Sequence, residues 1–274
     1  VLMLENVRFY AQEERNNNDF ARQLATLADF FVLDAFGACH RKQASITQIV
    51  KFIPSCAGFL LQKELETLGK LVEMSKVVDI GKQPFVTIIG GAKADKIGVI
   101  QNLLPVVDHL LIGGMLANTF LKAAGKDIGA SLYDEETLLI AERLLYEADS
   151  KLILPVDVVV ADRCAKDAET QIVSVDAIPP HCMALDIGPE TRKLYSTIVE
   201  NAETIVWAGP IGVFEIEQFS YGTKHIAAVV AKSNGIKIIG GGDSAAAIEK
   251  FDLAHYMSHV STGGGASLEL LQGA

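Results

Sequence analysis

Five times along the chain a short apolar run ends in a cluster of glycines. The runs are Phe85–Ile89 before Gly90-Gly91, Leu110–Ile112 before Gly113-Gly114, Thr204–Val206 before Gly209 and Gly212, Ile236–Ile239 before Gly240-Gly241-Gly242, and Met257–Val260 before Gly263-Gly264-Gly265. Short β-branched runs alternating with stretches of helical periodicity predict an α/β fold, a parallel sheet with helices on both faces and a Rossmann-like C-terminal part. In such a sheet the carboxyl ends of the strands form the binding crevice, and glycine there lets backbone N–H groups approach a phosphate at a helix N-terminus. Any one pair reads equally as a tight turn. Five in succession imply a large phosphorylated ligand. None fits G-x-x-x-x-G-K-[ST] or G-x-G-x-x-G, which weighs against the P-loop and the nicotinamide-dependent oxidoreductase readings.

Further strands are predicted at Val1–Leu4, at Phe31–Leu33, and at Leu152–Leu154 running on to Val156–Val160. Helices are predicted at Glu13–Ala28, Phe59–Met74, Leu116–Ala124, Glu135–Glu147, Glu190–Asn201, Gln218–Lys232 and Ser244–Lys250. The 274 residues carry 24 Lys plus Arg against 34 Asp plus Glu, a net charge of −10 that disfavours nucleic acid and anionic lipid as partners. Residues 1–58 hold equal numbers of basic (Arg8, Arg15, Arg22, Arg41, Lys42, Lys51) and acidic groups (Glu5, Glu13, Glu14, Asp19, Asp29, Asp34), so the surplus lies downstream. With Pro54 as a break point, this shift divides the chain into a partial N-terminal piece (1–58), a connecting helix (59–80) and a C-terminal lobe (81–274). A single continuous sheet with one more covering helix is the alternative. The chain opens at Val1 as though entered in the middle of a domain. No apolar run approaches the ~18 residues of a membrane span, and four scattered cysteines (Cys39, Cys56, Cys164, Cys182) fit reduced thiols in a cytoplasmic protein.

Charged residues stand beside the glycine loops. Lys93 and Lys96 follow Gly90-Gly91-Ala92 and are either phosphate ligands or two solvated lysines on the first turns of a helix. Lysine at a helix start opposes the macrodipole, so an anion there is the better account. Asp243 directly follows three glycines, where a carboxylate among phosphate-binding amides calls for a bridging cation such as Mg²⁺; otherwise it is a plain N-cap. Glu215 is a candidate acceptor for ribose hydroxyls or an ordinary surface carboxylate. Arg8 and Arg41, each just past a predicted strand, suit a phosphate or carboxylate, or serve as surface ion-pair partners. His40 beside Arg41 reads as structural rather than as a general base.

Taken together, these stretches resemble the phosphoglycerate kinase family. The matching segments are Leu4-Glu5-Asn6-Val7-Arg8-Phe9, Asp34-Ala35-Phe36-Gly37 with His40-Arg41, Gly58-Phe59-Leu60 with Lys63-Glu64-Leu65, and Gly90-Gly91-Ala92-Lys93. They continue, in family order, with Gly209-Pro210-Ile211-Gly212-Val213-Phe214-Glu215, Gly240-Gly241-Gly242-Asp243-Ser244 and Ser261-Thr262-Gly263-Gly264-Gly265-Ala266-Ser267. The resemblance implies a monomeric, cytoplasmic hinge enzyme that moves a phosphoryl group between 1,3-bisphosphoglycerate and ADP, giving 3-phosphoglycerate and ATP with Mg²⁺. It implies that Arg8 and Arg41 hold phosphoglycerate. Lys93, Lys96, Gly114, Gly240, Gly241, Gly242 and Ser244 then hold the nucleotide phosphates, Glu215 the ribose and Asp243 the metal. Arg8, Arg41, Lys93, Gly241 and Gly264 form the implied catalytic set.

The sequence departs from the family pattern in three places. Lys93 and Lys96 are three apart where the family usually has four, Ala208 replaces an asparagine before Gly-Pro, and Met115 sits where a third glycine is common. Most of the family's N-terminal lobe and its closing C-terminal segment have no counterpart in the sequence, so the chain alone is expected to turn over poorly or not at all. A catalytically silent nucleotide-binding module is the competing reading.

Overall fold

The computed structural model describes residues 2–76, 84–92, 96–261 and 263–271. The strands, in chain order, are β1 (Phe31–Leu33), β2 (Ser55–Ala57), β3 (Phe85–Ile89), β4 (His109–Ile112), β5 (Leu152–Ile153), β6 (Asp157–Ala161), β7 (Thr170–Ser174), β8 (Met183–Ile187), β9 (Thr204–Ala208), β10 (Ile236–Gly240) and β11 (His259–Val260). The helices are α1 (Ala11–Glu14), α2 (Asn18–Ala25), α3 (Phe59–Lys76), α4 (Lys96–Leu103), α5 (Gly114–Ala123), α6 (Leu138–Glu147), α7 (Pro189–Glu200), α8 (Tyr221–Lys232), α9 (Gly242–Lys250) and α10 (Gly265–Leu271).

Six strands form one sheet in the order β11-β10-β9-β3-β4-β5, with every neighbour parallel. Every residue of β3 and of β9 is buried, as a parallel strand covered on both faces requires. Side chains alternate between the two faces: Phe85 and Ile89 join the core under α4, α5 and α6, whereas Val86 and Ile88 join the core under α7 and α8. The order has one consequence for function. From β3 the chain winds outward to β4 and β5, then returns to β9 on the other side of β3 and winds outward to β10 and β11. The β3/β9 boundary is therefore the topological switch point, where an open α/β sheet leaves a crevice.

Several expectations are corrected. Leu152–Leu154 does not run on into the next strand: the chain breaks at Pro155, which has no N–H to donate to a ladder. β5 stays on the edge of the parallel sheet, and β6 begins a separate antiparallel sheet between β7 and β8. Leu2, Met3 and Leu4 form no strand and are exposed, and among the described residues no strand pairs with them; Val1 lies outside the described residues. The single helix expected over Glu13–Ala28 is two helices, α1 and α2. Asn16 takes a left-handed φ of 53° between them, and the Asn17 side chain accepts from Phe20 N at 3.0 Å to cap α2. The helix expected over Gln218–Lys232 is likewise a short 3₁₀ turn (Glu217–Phe219) followed by α8. Among the described residues β1 and β2 pair only with each other, in a two-stranded parallel sheet. The connecting helix appears as α3; the last residues assigned to it, 77–80, lie outside the described residues.

Candidate active site

The loops after β3 and β9 meet at the switch point. Gly90 N donates to Ala208 O (3.0 Å), Gly91 N to Pro210 O (2.7 Å), and Gly114 N, from the loop after β4, to Ile211 O (2.7 Å). The approach is so close that a Cβ on Gly90 would lie 2.1 Å from Pro210 O, and one on Gly209, whose φ is +98°, would lie 2.1 Å from Gly90 O. Only glycine fits either position. Lys96, at the start of α4, is buried beneath these turns rather than solvated. Its ammonium donates to Gly90 O (2.6 Å) and reaches Ala208 O at 3.4 Å. Lys93 lies outside the described residues.

The loop after β10 is tied to the same point. Ser244 Oγ accepts from Gly209 N (2.5 Å) and donates to Gly240 O (2.9 Å). The hydroxyl of Ser244 thus fastens two loops to each other. Gly241, at φ +97°, is the N-cap of α9. Asp243 is therefore not the cap; it lies inside the first turn of the helix, exposed, where its charge suits the positive end of the dipole. A Cβ on Gly242 or on Gly264 would meet nothing within 4 Å, so space beside both loops is open to a ligand.

Asp243, Glu215, Gly91 and Gly114 line one cavity of about 360 Å³, with Met115 and Val158 among its apolar walls. A largely apolar slot bordered by exposed carboxylates, with open space beside the Gly242 loop, suits an aromatic base with a polyphosphate tail. Among the described residues no three His, Cys, Asp or Glu gather into a metal cage. A single carboxylate beside an open loop fits Mg²⁺, which keeps most of its coordination for phosphate oxygens and water. The loop that presents Glu215 is anchored by Lys250, at the far end of α9. Lys250 Nζ donates to Phe214 O (2.7 Å) and Glu215 O (3.3 Å) and lies 5.7 Å from the Phe214 ring centroid. One helix thus carries Asp243 at its start and braces the Glu215 loop at its end.

The remaining site candidates lie around the N-terminal segment. Gly263 packs so tightly that a Cβ would lie 2.2 Å from the Phe36 ring, and one on Gly265 would lie 3.6 Å from His40 Nε2. The fifth glycine loop is thereby set against residues 36–40. Arg8, in a 3₁₀ turn (Val7–Phe9), and Arg41 are both exposed, and neither forms an ion pair among the described residues. α3 is held to the sheet by a buried contact between Glu64 Oε2 and His259 Nε2 at 2.7 Å.

Two contributors escaped the sequence reading, Lys250 and Asp186. Asp186, at the end of β8, lines the cavity and is almost wholly buried. Burial pushes its carboxyl up to about 7, against the N–H groups of Gly222 (2.7 Å) and Ile187 (2.9 Å), which favour the anion, as does the Arg192 charge. Its signal was a lone acid inside an otherwise apolar strand, Met183–Ile187.

The model of the family described as phosphoglycerate kinase matches residues 1–274. The phosphoglycerate kinase of Herpetosiphon aurantiacus is 55% identical, across the whole of this chain and 69% of its own length. The solved structure of phosphoglycerate kinase from Coxiella burnetii superposes with a TM-score of 0.85 at 46% identity, over 98% of this chain and 70% of that one. The enzyme from Pyrococcus horikoshii also gives 0.85, at 32% identity and over 98% and 69%.

Proposed function

The chain belongs to the phosphoglycerate kinase family, and from that premise we propose how its residues divide the work. The reaction is reversible phosphoryl transfer between 1,3-bisphosphoglycerate and ADP, giving 3-phosphoglycerate and ATP with Mg²⁺, a step of glycolysis. In this reading residues 81–274 form the nucleotide lobe, 59–80 the connector, and 1–58 part of the phosphoglycerate side. The separate β1–β2 sheet and the buried Glu64–His259 contact across α3 support that division.

The adenosine enters the cavity walled by Met115 and Val158, and Glu215 accepts from the ribose hydroxyls. The Gly240–Gly242 loop borders the phosphates and Lys93 serves as their cation, whereas Gly114, whose N–H is given to Ile211 O, borders them without donating. Lys96 acts from beneath the Gly90 and Gly209 turns, setting their backbone in place, while Ser244 fixes the Gly240 loop to the same turn. Asp243 would hold Mg²⁺, and the ion would supply charge neutralisation for the phosphates. Arg8 and Arg41 bind the phosphoglycerate, and the Gly263–Gly265 loop borders the moving group. No covalent enzyme intermediate is required: in-line positioning and charge neutralisation carry the rate, and closure of the two sides excludes water. The acidic net charge of −10 supports a small-molecule enzyme rather than a nucleic-acid or membrane partner, and we place it as a monomer in the cytoplasm.

The observation that carries this reading is the meeting of glycine loops at the β3/β9 switch point, with Asp243 beside the loop whose outer side is open. Calorimetry tests it. ADP should bind the parent with magnesium dependence, and Asp243→Ala should lose that dependence. Equal affinity with and without metal in the parent would remove Asp243 from the role.

A further inference from the structure

A groove of about 700 Å³ runs between α7 and α8 and shares no lining residue with the nucleotide cavity. Arg192 and Lys193 line it from α7 and Lys232 from the end of α8, with Glu200 the one carboxylate among its lining residues; the Arg192 charge also acts on the buried Asp186. In a chain of net charge −10 this is a local reversal of sign. Among the described residues none of the three cations has a carboxylate within ion-pair distance. The two helices are bridged across the groove by Ser196 Oγ and His225 Nε2, 2.9 Å apart. We infer that this groove is a second anion site, one that takes a tetrahedral oxyanion of the phosphate class through Arg192, Lys193 and Lys232.

The alternative is a set of solvated lysines and arginines on helix exteriors. Such a set has no need of a concave floor or of a cross-helix contact in the middle of it. The attraction does not come from the α7 terminus, because the first-turn amides of Glu190 and Thr191 already donate to Asp157 (3.0 and 2.7 Å). It comes from the side chains: a guanidinium that donates in pairs and two ammonium groups.

The Ser196–His225 contact adds a proton to the chemistry. Ser196 Oγ donates to Arg192 O at 2.7 Å, so its lone pair is what faces the imidazole, and His225 Nε2 carries the hydrogen. The other ring nitrogen is then the one that takes up a proton. Burial holds His225 below its ordinary value, Arg192 and Lys232 push it further in that direction, and Glu200 opposes them. An anion between Arg192 and Lys232 cancels their push, so anion entry and His225 protonation favour each other by the same factor.

Sulfate is the first probe, because it stays dianionic across the range. The full chain, saturated with Mg-ADP to fill the nucleotide crevice, is titrated from pH 5 to 8 with His225 followed by NMR, in sulfate and in chloride of equal ionic strength. His225→Gln assigns the resonance. The midpoint of His225 should rise by about one pH unit in sulfate, equivalent to about tenfold tighter binding to the protonated form. The Arg192→Gln/Lys232→Gln double variant should lose the rise, and Lys232→Gln alone, at an exposed position, should lose at least part of it while binding Mg-ADP as the parent does. Inorganic phosphate and glycerol phosphate, run in parallel, separate a free oxyanion from a phosphomonoester as the occupant, and binding of either supports the site. An equal midpoint in sulfate and chloride, a rise that survives in the double variant, or a rise seen only while the nucleotide crevice is empty would each overturn the proposal.

Discussion

Replacing Asp186 by asparagine should reverse the sign of its effect on stability between pH 5 and pH 8. The carboxyl is raised to about 7 from an ordinary 3.8, mainly by burial. Between those values the folded chain holds a proton that the unfolded chain has released. The contribution is therefore complete below about pH 4 and is lost as pH rises through 7. At about 1.4 kcal/mol per pH unit, the loss from pH 5 to pH 8 is roughly 3 kcal/mol. Asparagine does not titrate. It has one acceptor where the carboxyl has two, so it forfeits one of the bonds from Gly222 N and Ile187 N, at about 1–2 kcal/mol. Asp186→Asn should thus be less stable than the parent by about 1–2 kcal/mol at pH 5 and more stable by a similar amount at pH 8. Urea denaturation followed by the fluorescence of Trp207, the single and fully buried tryptophan, measures both. A difference that does not change with pH would show that Asp186 is ionised throughout and that its two amide bonds outweigh burial.

Three other perturbations test the scaffold around the cavity. Glu215→Gln should weaken ADP binding by about 1–3 kcal/mol, the range of a hydrogen bond to a charged group, with no change in urea midpoint; unchanged affinity would leave Glu215 a surface residue. Lys250→Met should weaken ADP binding about three- to tenfold by freeing the Phe214–Glu215 backbone, with Lys250→Arg restoring part of it in the same calorimetric assay. Gly209→Ala should cost at least ~3 kcal/mol in urea denaturation, since it combines a left-handed φ of +98° with a Cβ 2.1 Å from Gly90 O.

What the sequence disclosed follows from the physics of each element. β3 and β9 are legible because both faces are covered, which leaves an uninterrupted apolar run. β7 is the opposite case: four of its five residues are exposed, so Thr170–Ser174 has only the short Ile172-Val173 pair as an apolar signal and is specified largely by pairing with β6. The break at Asn16 was written in the tract Asn16-Asn17-Asn18, yet apolar periodicity continues across it, and periodicity alone does not register a left-handed residue.

The candidate site divides along the same line. Glycines advertise themselves, because a backbone held within 2.1 Å of a would-be Cβ tolerates nothing else, and Asp243 is conspicuous beside three of them. Lys96 is a different case. Its ammonium reaches carbonyls of Gly90 and Ala208, the second of which lies 112 residues away, and the two meet only because the strand order turns back at β3. A linear reading sees a lysine on the first turn of a helix and assigns it to whatever anion the helix start attracts. In the fold the same charge lies under the two turns that build the crevice, where it balances the carbonyl dipoles that converge at the switch point. Lys96 is legible as a cation from sequence, but its position between two distant strands is a property of the topology.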